Sequence, residues 1–140
     1  DLRAKMKGEI RATGLWGLNP LGLVATQAAY EAGEPWLEEE IRYIAKNHGY
    51  LARYIGEHSP QLRVIPAEAT YLAWVDCRNL GLDENALSHL MMENARLYLD
   101  DGSIFGPEGS GFVRINLACP RSLLEQALGR IRQAVEHALS

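Results

Sequence analysis

The apolar positions of this chain change period once, near residue 60. Upstream, Leu37, Ile41, Ile44, His48, Leu51 and Ile55 recur in alternating steps of four and three, a single stripe at helical spacing. Pro35 stands near the start of that stripe and Ser59-Pro60 follow its end, so the pattern predicts one helix over 34–58. At ~1.5 Å per residue such a helix exceeds about 30 Å, a length that connects two structural units or braces one of them. Ahead of it, residues 1–13 are polar and helix-compatible. Gly14, Gly17, Asn19, Pro20 and Gly22 then read as loop, and residues 23–32 as a short alanine-rich helix ended by Gly33.

Beyond Pro60 the alternation shortens towards period two. Leu62, Val64 and Ile65 suggest a short strand, and residues 70–76 (TYLAWVD) a stronger one, rich in aromatic and β-branched side chains. Asp83 caps a helix running to about residue 95 that turns Leu87, Leu90 and Met91 inward. Residues 97–99 read as a short strand, the glycine-rich residues 101–111 as an exposed loop, and 112–118 (FVRINLA) as a strand. Ser122 with Glu125 has the form of a capping box opening a last helix, with Leu124, Leu128, Ile131 and Val135 on its buried face. The order strand, strand, helix, strand, strand, helix predicts a small α+β domain over 59–140, a mainly antiparallel sheet covered by helices on one face. Residues 1–33 read as the remnant of a different domain, with 34–58 as the connecting helix.

Arg114 is the residue in this pattern that carries most chemical information. On a strand it shares a face with Phe112 and Asn116, while Val113, Ile115 and Leu117 form the opposite, core face. A guanidinium there either lies on the wet face of an antiparallel sheet or presents its planar fork to a cleft, where it suits a carboxylate bidentately. Alternation alone leaves both readings open. The preceding loop has no phosphate-binding glycine pattern and no P-loop lysine, and Asp100-Asp101 read as solvated loop acids. His48, His58, His89 and His137 are dispersed, without the spacing of metal ligands. His48, on the helix stripe, reads as a hydrogen-bonded core residue. Cys77 and Cys119 belong to no CxxC pair and read as small buried hydrophobes.

Composition changes the picture only by exclusion. Hydrophobic residues make up 47% and charged residues 23% of the 140, ordinary values for a folded domain. The net charge of -4 has no basic cluster within it, which argues against nucleic acid as a partner. The acidic run Glu38, Glu39 and Glu40 suits a helix start. No apolar stretch approaches the ~20 residues of a membrane span, and no leader is visible. Two unpaired cysteines suggest a reducing, cytoplasmic setting.

Four blocks of sequence carry a resemblance. Residues 111–122 (GFVRINLACPRS) resemble the C-terminal signature of the cystathionine β-lyase-like branch of the class I/II aminotransferase superfamily, fold-type I enzymes that use pyridoxal 5'-phosphate (PLP). Residues 19–30 (NPLGLVATQAAY), 69–76 (ATYLAWVD) and 99–106 (LDDGSIFG) match it in the same order. The resemblance implies the small C-terminal domain of that fold, preceded by the long inter-domain helix. It implies a carbon–sulfur β-lyase acting on cystathionine-like amino acids, with an aminotransferase as the alternative outcome on the same scaffold. Arg114 falls on the arginine that binds the substrate's α-carboxylate, Phe105-Gly106 on the segment shaping the substrate entrance, and Asn19 near a dimer interface facing the partner subunit's cofactor. The complete enzyme is then expected to be a homodimer. None of Lys5, Lys7 and Lys46 sits in the Ser-x-x-Lys-type context of the PLP lysine, so this stretch alone is expected to lack catalysis, PLP and metal. A free-standing, non-catalytic binding domain is the reading from a different class.

Overall fold

The computed structural model describes residues 1–14, 17 and 19–139. It divides into two compact units, Asp1–Glu40 and Ile41–Ser140. In the first, α1 (Leu2–Ala12) is capped by Asp1, whose carboxylate accepts from the Arg3 N–H. The loop predicted around Gly14 to Gly22 falls partly on Leu15, Trp16 and Leu18, outside the described residues. Its second half is not loop, because α2 (Pro20–Ala32) starts three residues ahead of the predicted helix. Asn19 is its N-cap: the side-chain oxygen accepts from the Leu21 N–H at 3.0 Å, with Pro20 at the first helical position. Gly22 is carried inside the helix, a cost of about 1 kcal/mol against alanine that the cap helps offset.

The predicted long helix is present as α3 (Glu34–His58). Only the C-terminal part of its stripe is buried: Leu51 and Ile55 are in the core, whereas Leu37 and Ile41 are more than half exposed. The second unit is built on a four-stranded antiparallel sheet, β1 (Arg63–Val64), β2 (Leu72–Asp76), β3 (Asp100–Asp101) and β4 (Phe112–Asn116), in the order β1-β2-β4-β3. One sheet face supplies Ala73, Val75, Val113 and Ile115 to the core, and Leu117 continues that row just past β4. They pack in one cluster with Leu51 and Ile55 of α3, Leu87 of α4 (Glu84–His89), and Leu124, Leu128 and Ile131 of α5 (Arg121–Ala138). Each large side chain removed from water there contributes on the order of 1.5–3 kcal/mol.

Three local expectations need correction. The third strand is Asp100–Asp101 rather than 97–99, because the Leu97 N–H is taken by the Met91 carbonyl as α4 finishes in a π-helical turn, Leu90–Asn94. Residues 101–111 are not plain loop: two 3-10 turns, Gly102–Phe105 and Pro107–Gly109, fill them, and Gly102 is buried. Ser122 and Glu125 form no capping box, since α5 begins at Arg121 with Pro120 as cap residue and no side-chain cap. The free Arg121 N–H is instead satisfied by the Tyr43 hydroxyl of α3, at 2.7 Å. The expected cap of α4 is present, the Asp83 carboxylate accepting from the Ala86 N–H at 2.8 Å.

Candidate carboxylate-binding site

Strand register brings together residues that lie far apart in sequence. Trp74 of β2 and Asp100 of β3 are both direct cross-strand partners of Arg114 on β4, so the three form one row across the sheet, on the face away from the core. Arg114 Nε and Nη2 both donate to Asp100 Oδ2, at 3.0 and 2.7 Å. These charge-assisted contacts set the guanidinium plane. Phe105, on the first 3-10 turn after β3, lies against that plane with its centroid 4.4 Å from Cζ. Trp74 meets Phe105 edge-on at 5.5 Å and Phe112 edge-on at 6.1 Å.

Arg114, Trp74 and Phe105 line an open cavity of about 430 Å³ together with Ile65, Pro66, Ala67, Ala69, Thr70 and Leu72. Among the described residues, Arg114 is the one charged side chain in the lining, and Asp100 is not part of it. The described hydrogen bonds engage Nε and Nη2, not Nη1. One edge of the fork is therefore held from behind while the guanidinium borders an apolar hollow. A carboxylate entering that hollow meets a guanidinium whose orientation is already set.

Two further contacts hold the surroundings. Thr70, at the rim, has φ 71°, a left-handed conformation that is strained for a β-branched residue. Its hydroxyl accepts from the Leu72 N–H at 3.0 Å, and its carbonyl accepts from His48 Nε2 at 3.1 Å. A carbonyl can only accept, so that nitrogen carries the proton. His48 is thus hydrogen-bonded as expected, but half-buried at the rim rather than in the core. The exit of β4 is fixed by Asn47, which is fully buried on α3: Nδ2 donates to the Leu117 and Cys119 carbonyls at 2.8 and 3.0 Å, and Oδ1 accepts from Arg121 Nε at 2.9 Å. Arg121 in turn lies over the Tyr50 ring at 4.3 Å.

A second charged cluster sits two residues further along β2. The Asp76 carboxylate accepts from Arg78 Nε and Nη2 at 2.9 and 2.8 Å and from Arg63 Nη2 at 3.3 Å. The Arg78 hydrogen bonds, above all, hold its carboxyl down at about 2. Arg78 covers the ring of Phe112 at 4.8 Å, and Phe112 in turn meets Trp74 of the Arg114 site edge-on.

Of the residues singled out in the sequence, Arg114 lies at this cavity. Asn19 belongs to the first unit, where it caps α2 beside a hollow of about 720 Å³ shared with Gly22, Leu23, Thr26 and Gln27. Asp100 was read as a solvated acid and is instead the partner of Arg114. No period or spacing signals that pairing; only the loop length between β3 and β4 does. Burial pushes the Cys77 thiol up to about 12 and raises that of half-buried Cys119, shifts that favour the thiol over the thiolate at both. Among the described residues there is no group of three metal-ligating side chains and no helix long and apolar enough to cross a membrane.

No protein-family model matches the chain. Cystathionine beta-lyase PatB of Bacillus subtilis (strain 168) is 35% identical over 133 residues, covering 95% of this chain and 34% of the relative. Cystalysin of Treponema denticola, whose crystal structure contains pyridoxal 5'-phosphate, superposes with a TM-score of 0.84 at 34% identity over 86% of this chain and 31% of its own. The PLP-bound C-S lyase of Staphylococcus hominis gives a TM-score of 0.82 at 35% identity, over 94% of this chain and 36% of that one. The chain spans about a third of the length of the curated relatives it matches.

Proposed function

This chain belongs to the cystathionine β-lyase-like branch of the fold-type I PLP enzymes, and from that membership we propose that it supplies the carboxylate-binding side of a PLP-dependent carbon–sulfur β-lyase acting on cystathionine-like amino acids. The observation that carries the proposal is the Arg114 fork, held edge-on by Asp100 and face-on by Phe105 at the wall of an apolar cavity.

The residues described here fit the substrate rather than the cofactor. Lys5 and Lys7 lie exposed on α1 and Lys46 exposed on α3, and among the described residues no lysine lines the Arg114 cavity. We therefore assign these residues no step on the cofactor. Their part is to bind the α-carboxylate and orient the Cα substituents, and to limit water around that ion pair, which strengthens it. PLP in the complete homodimeric enzyme would be held by residues outside this set. Residues 1–33 would be part of the cofactor-bearing domain, with 34–58 connecting it to 59–140. Asn19, whose Oδ1 is spent on the α2 cap, would turn Nδ2 toward the partner subunit's cofactor site. Cys77 and Cys119 are unpaired, in keeping with a reducing cytoplasm.

The test is Arg114→Ala in the complete PLP-loaded enzyme, assayed for pyruvate and thiol from L-cystathionine. Truncating one member of a hydrogen-bonded charge pair costs about 2–5 kcal/mol, so kcat/KM should fall ~30-fold or more. Arg114→Lys should recover part of the loss by charge without the fork. An unchanged kcat/KM would remove Arg114 from the substrate site. Transfer of the amino group to a keto acid, in place of pyruvate release, would overturn the lyase assignment.

A further inference from the structure

We infer that Asp100 is the positioning residue of the carboxylate anchor, a role that rests on Arg114 being that anchor. Asp100 stands directly opposite Arg114 in the β3–β4 ladder. It receives both Nε and Nη2 on a single oxygen, Oδ2, at 3.0 and 2.7 Å. Arg114 lines the cavity and Asp100 does not, so the contact is made on the side of the fork turned from the substrate. Phe105 takes one face of the same guanidinium at 4.4 Å. With one edge and one face engaged, a long, otherwise mobile side chain has its ordering entropy lost on folding and not again on binding. The aspartate also neutralises the arginine while the cavity holds no anion, which makes a cation beside an apolar wall tolerable.

The same charge opposes the incoming carboxylate, so Asp100 acts in two directions that substitution separates. Asp100→Ala removes the acceptor and the charge. Asp100→Asn keeps an acceptor oxygen at the same place and removes only the charge. If positioning dominates, Asp100→Ala raises KM for the amino-acid substrate ~10-fold or more, the scale of one charge-assisted hydrogen bond, with kcat within about threefold. Asp100→Asn then stays within about threefold of the parent in both constants. The inhibition constant of propionate, an unreactive carboxylate, should follow KM through the series, which a general loss of fold would not produce.

The experiment is run on the PLP-loaded complete enzyme beside Arg114→Ala, with cofactor content and thermal midpoint recorded for each variant. If Arg114→Ala is damaging and Asp100→Ala leaves KM unchanged, the positioning role is overturned while the anchor stands. If Arg114→Ala is harmless, the anchor itself falls. Equal KM increases in the Ala and Asn variants would place the effect in charge and overturn positioning. A fall in kcat together with lost PLP and a lowered midpoint would make the role structural and also overturn it. Should Asp100→Ala fail to fold, Asp100→Glu displaces the acceptor by one methylene: a raised KM supports the inference and an unchanged one overturns it.

Discussion

Asn47 is the buried polar residue on which the geometry of the site should depend most, and replacing it with alanine tests the packing argument directly. Its amide makes three hydrogen bonds: Nδ2 to the Leu117 carbonyl at 2.8 Å and the Cys119 carbonyl at 3.0 Å, and Oδ1 from Arg121 Nε at 2.9 Å. The two neutral bonds are each worth about 1 kcal/mol and the bond from the guanidinium about 1.5–3. Arg121 and Cys119 are only half-buried and regain water when the amide is removed. Leu117 is fully buried, so its carbonyl does not, and it bears the full desolvation penalty. The expected loss is therefore about 3 kcal/mol. Urea unfolding of the 140-residue chain, followed by far-ultraviolet circular dichroism, should show the midpoint falling by roughly 1.5–2 M at an unchanged slope of about 1.5–2 kcal/mol/M. Asn47→Asp keeps the Arg121 acceptor but aims a carboxylate at two carbonyls, and should recover little. A loss below about 1 kcal/mol at unchanged slope would refute the reasoning, because it would mean that the Leu117 carbonyl reaches water without cost.

Two other outcomes follow from contacts around the site. The Asp76 carboxyl is held at about 2 against an ordinary 3.8, chiefly by hydrogen bonds from Arg78. Its folded value is the depressed one, so its contribution is fully present above about pH 4 and is lost as pH falls toward 2. Both arginine partners are mostly exposed, which limits the effect to on the order of 1 kcal/mol; Asp76→Asn should remove that part of the pH dependence in acid unfolding, and an identical acid limb in both proteins would contradict it. A side chain at Gly102 would meet the Gly109 carbonyl and, at 2.9 Å, both Cβ and the carbonyl of Phe112. Gly102→Ala should thus force the two 3-10 turns apart at a cost of about 1–3 kcal/mol and lift Phe105 from Arg114, seen as a lowered thermal midpoint with a raised KM; an unchanged midpoint would show that the turns accommodate the methyl group.

Much of this architecture could be read from the chain itself. The period-two run around Arg114 placed Val113, Ile115 and Leu117 on one face, and all three are buried. The strand, strand, helix, strand, strand, helix order is the order found. The errors came where a local signal competed with tertiary structure. Ser122 and Glu125 have capping-box spacing, but a hydroxyl from α3 already meets the first N–H of α5, so the helix starts earlier. Asn19-Pro20 were read as loop residues because both break helices in their interior, although the same pair is a strong opening for one. The stripe of α3 marks the limit of periodicity as a signal: it reports that a face is apolar, not what covers it, and only the C-terminal part of that face is buried.

The pairing of Asp100 with Arg114 was out of reach for a more basic reason. Alternation along a strand tells which face a side chain occupies, but not which residue stands beside it on the next strand. That neighbour is set by register, and here register depends on how many residues the connection between β3 and β4 consumes. Two 3-10 turns, ended by Gly106 at φ 131° and Ser110, take up the intervening residues so that Asp100 and not Asp101 lies opposite Arg114. Asp101 pairs with Val113, a core-face position. A slip of one residue in one direction would set Leu99 opposite Arg114 and Asp100 opposite Val113, leaving the guanidinium without its partner; in the other it would replace Asp100 by Asp101. The glycines that made residues 101–111 look like unstructured loop are thus the means by which the chain counts its way to the acid–base pair, and the chemistry of the site is encoded in loop length as much as in Arg114 itself.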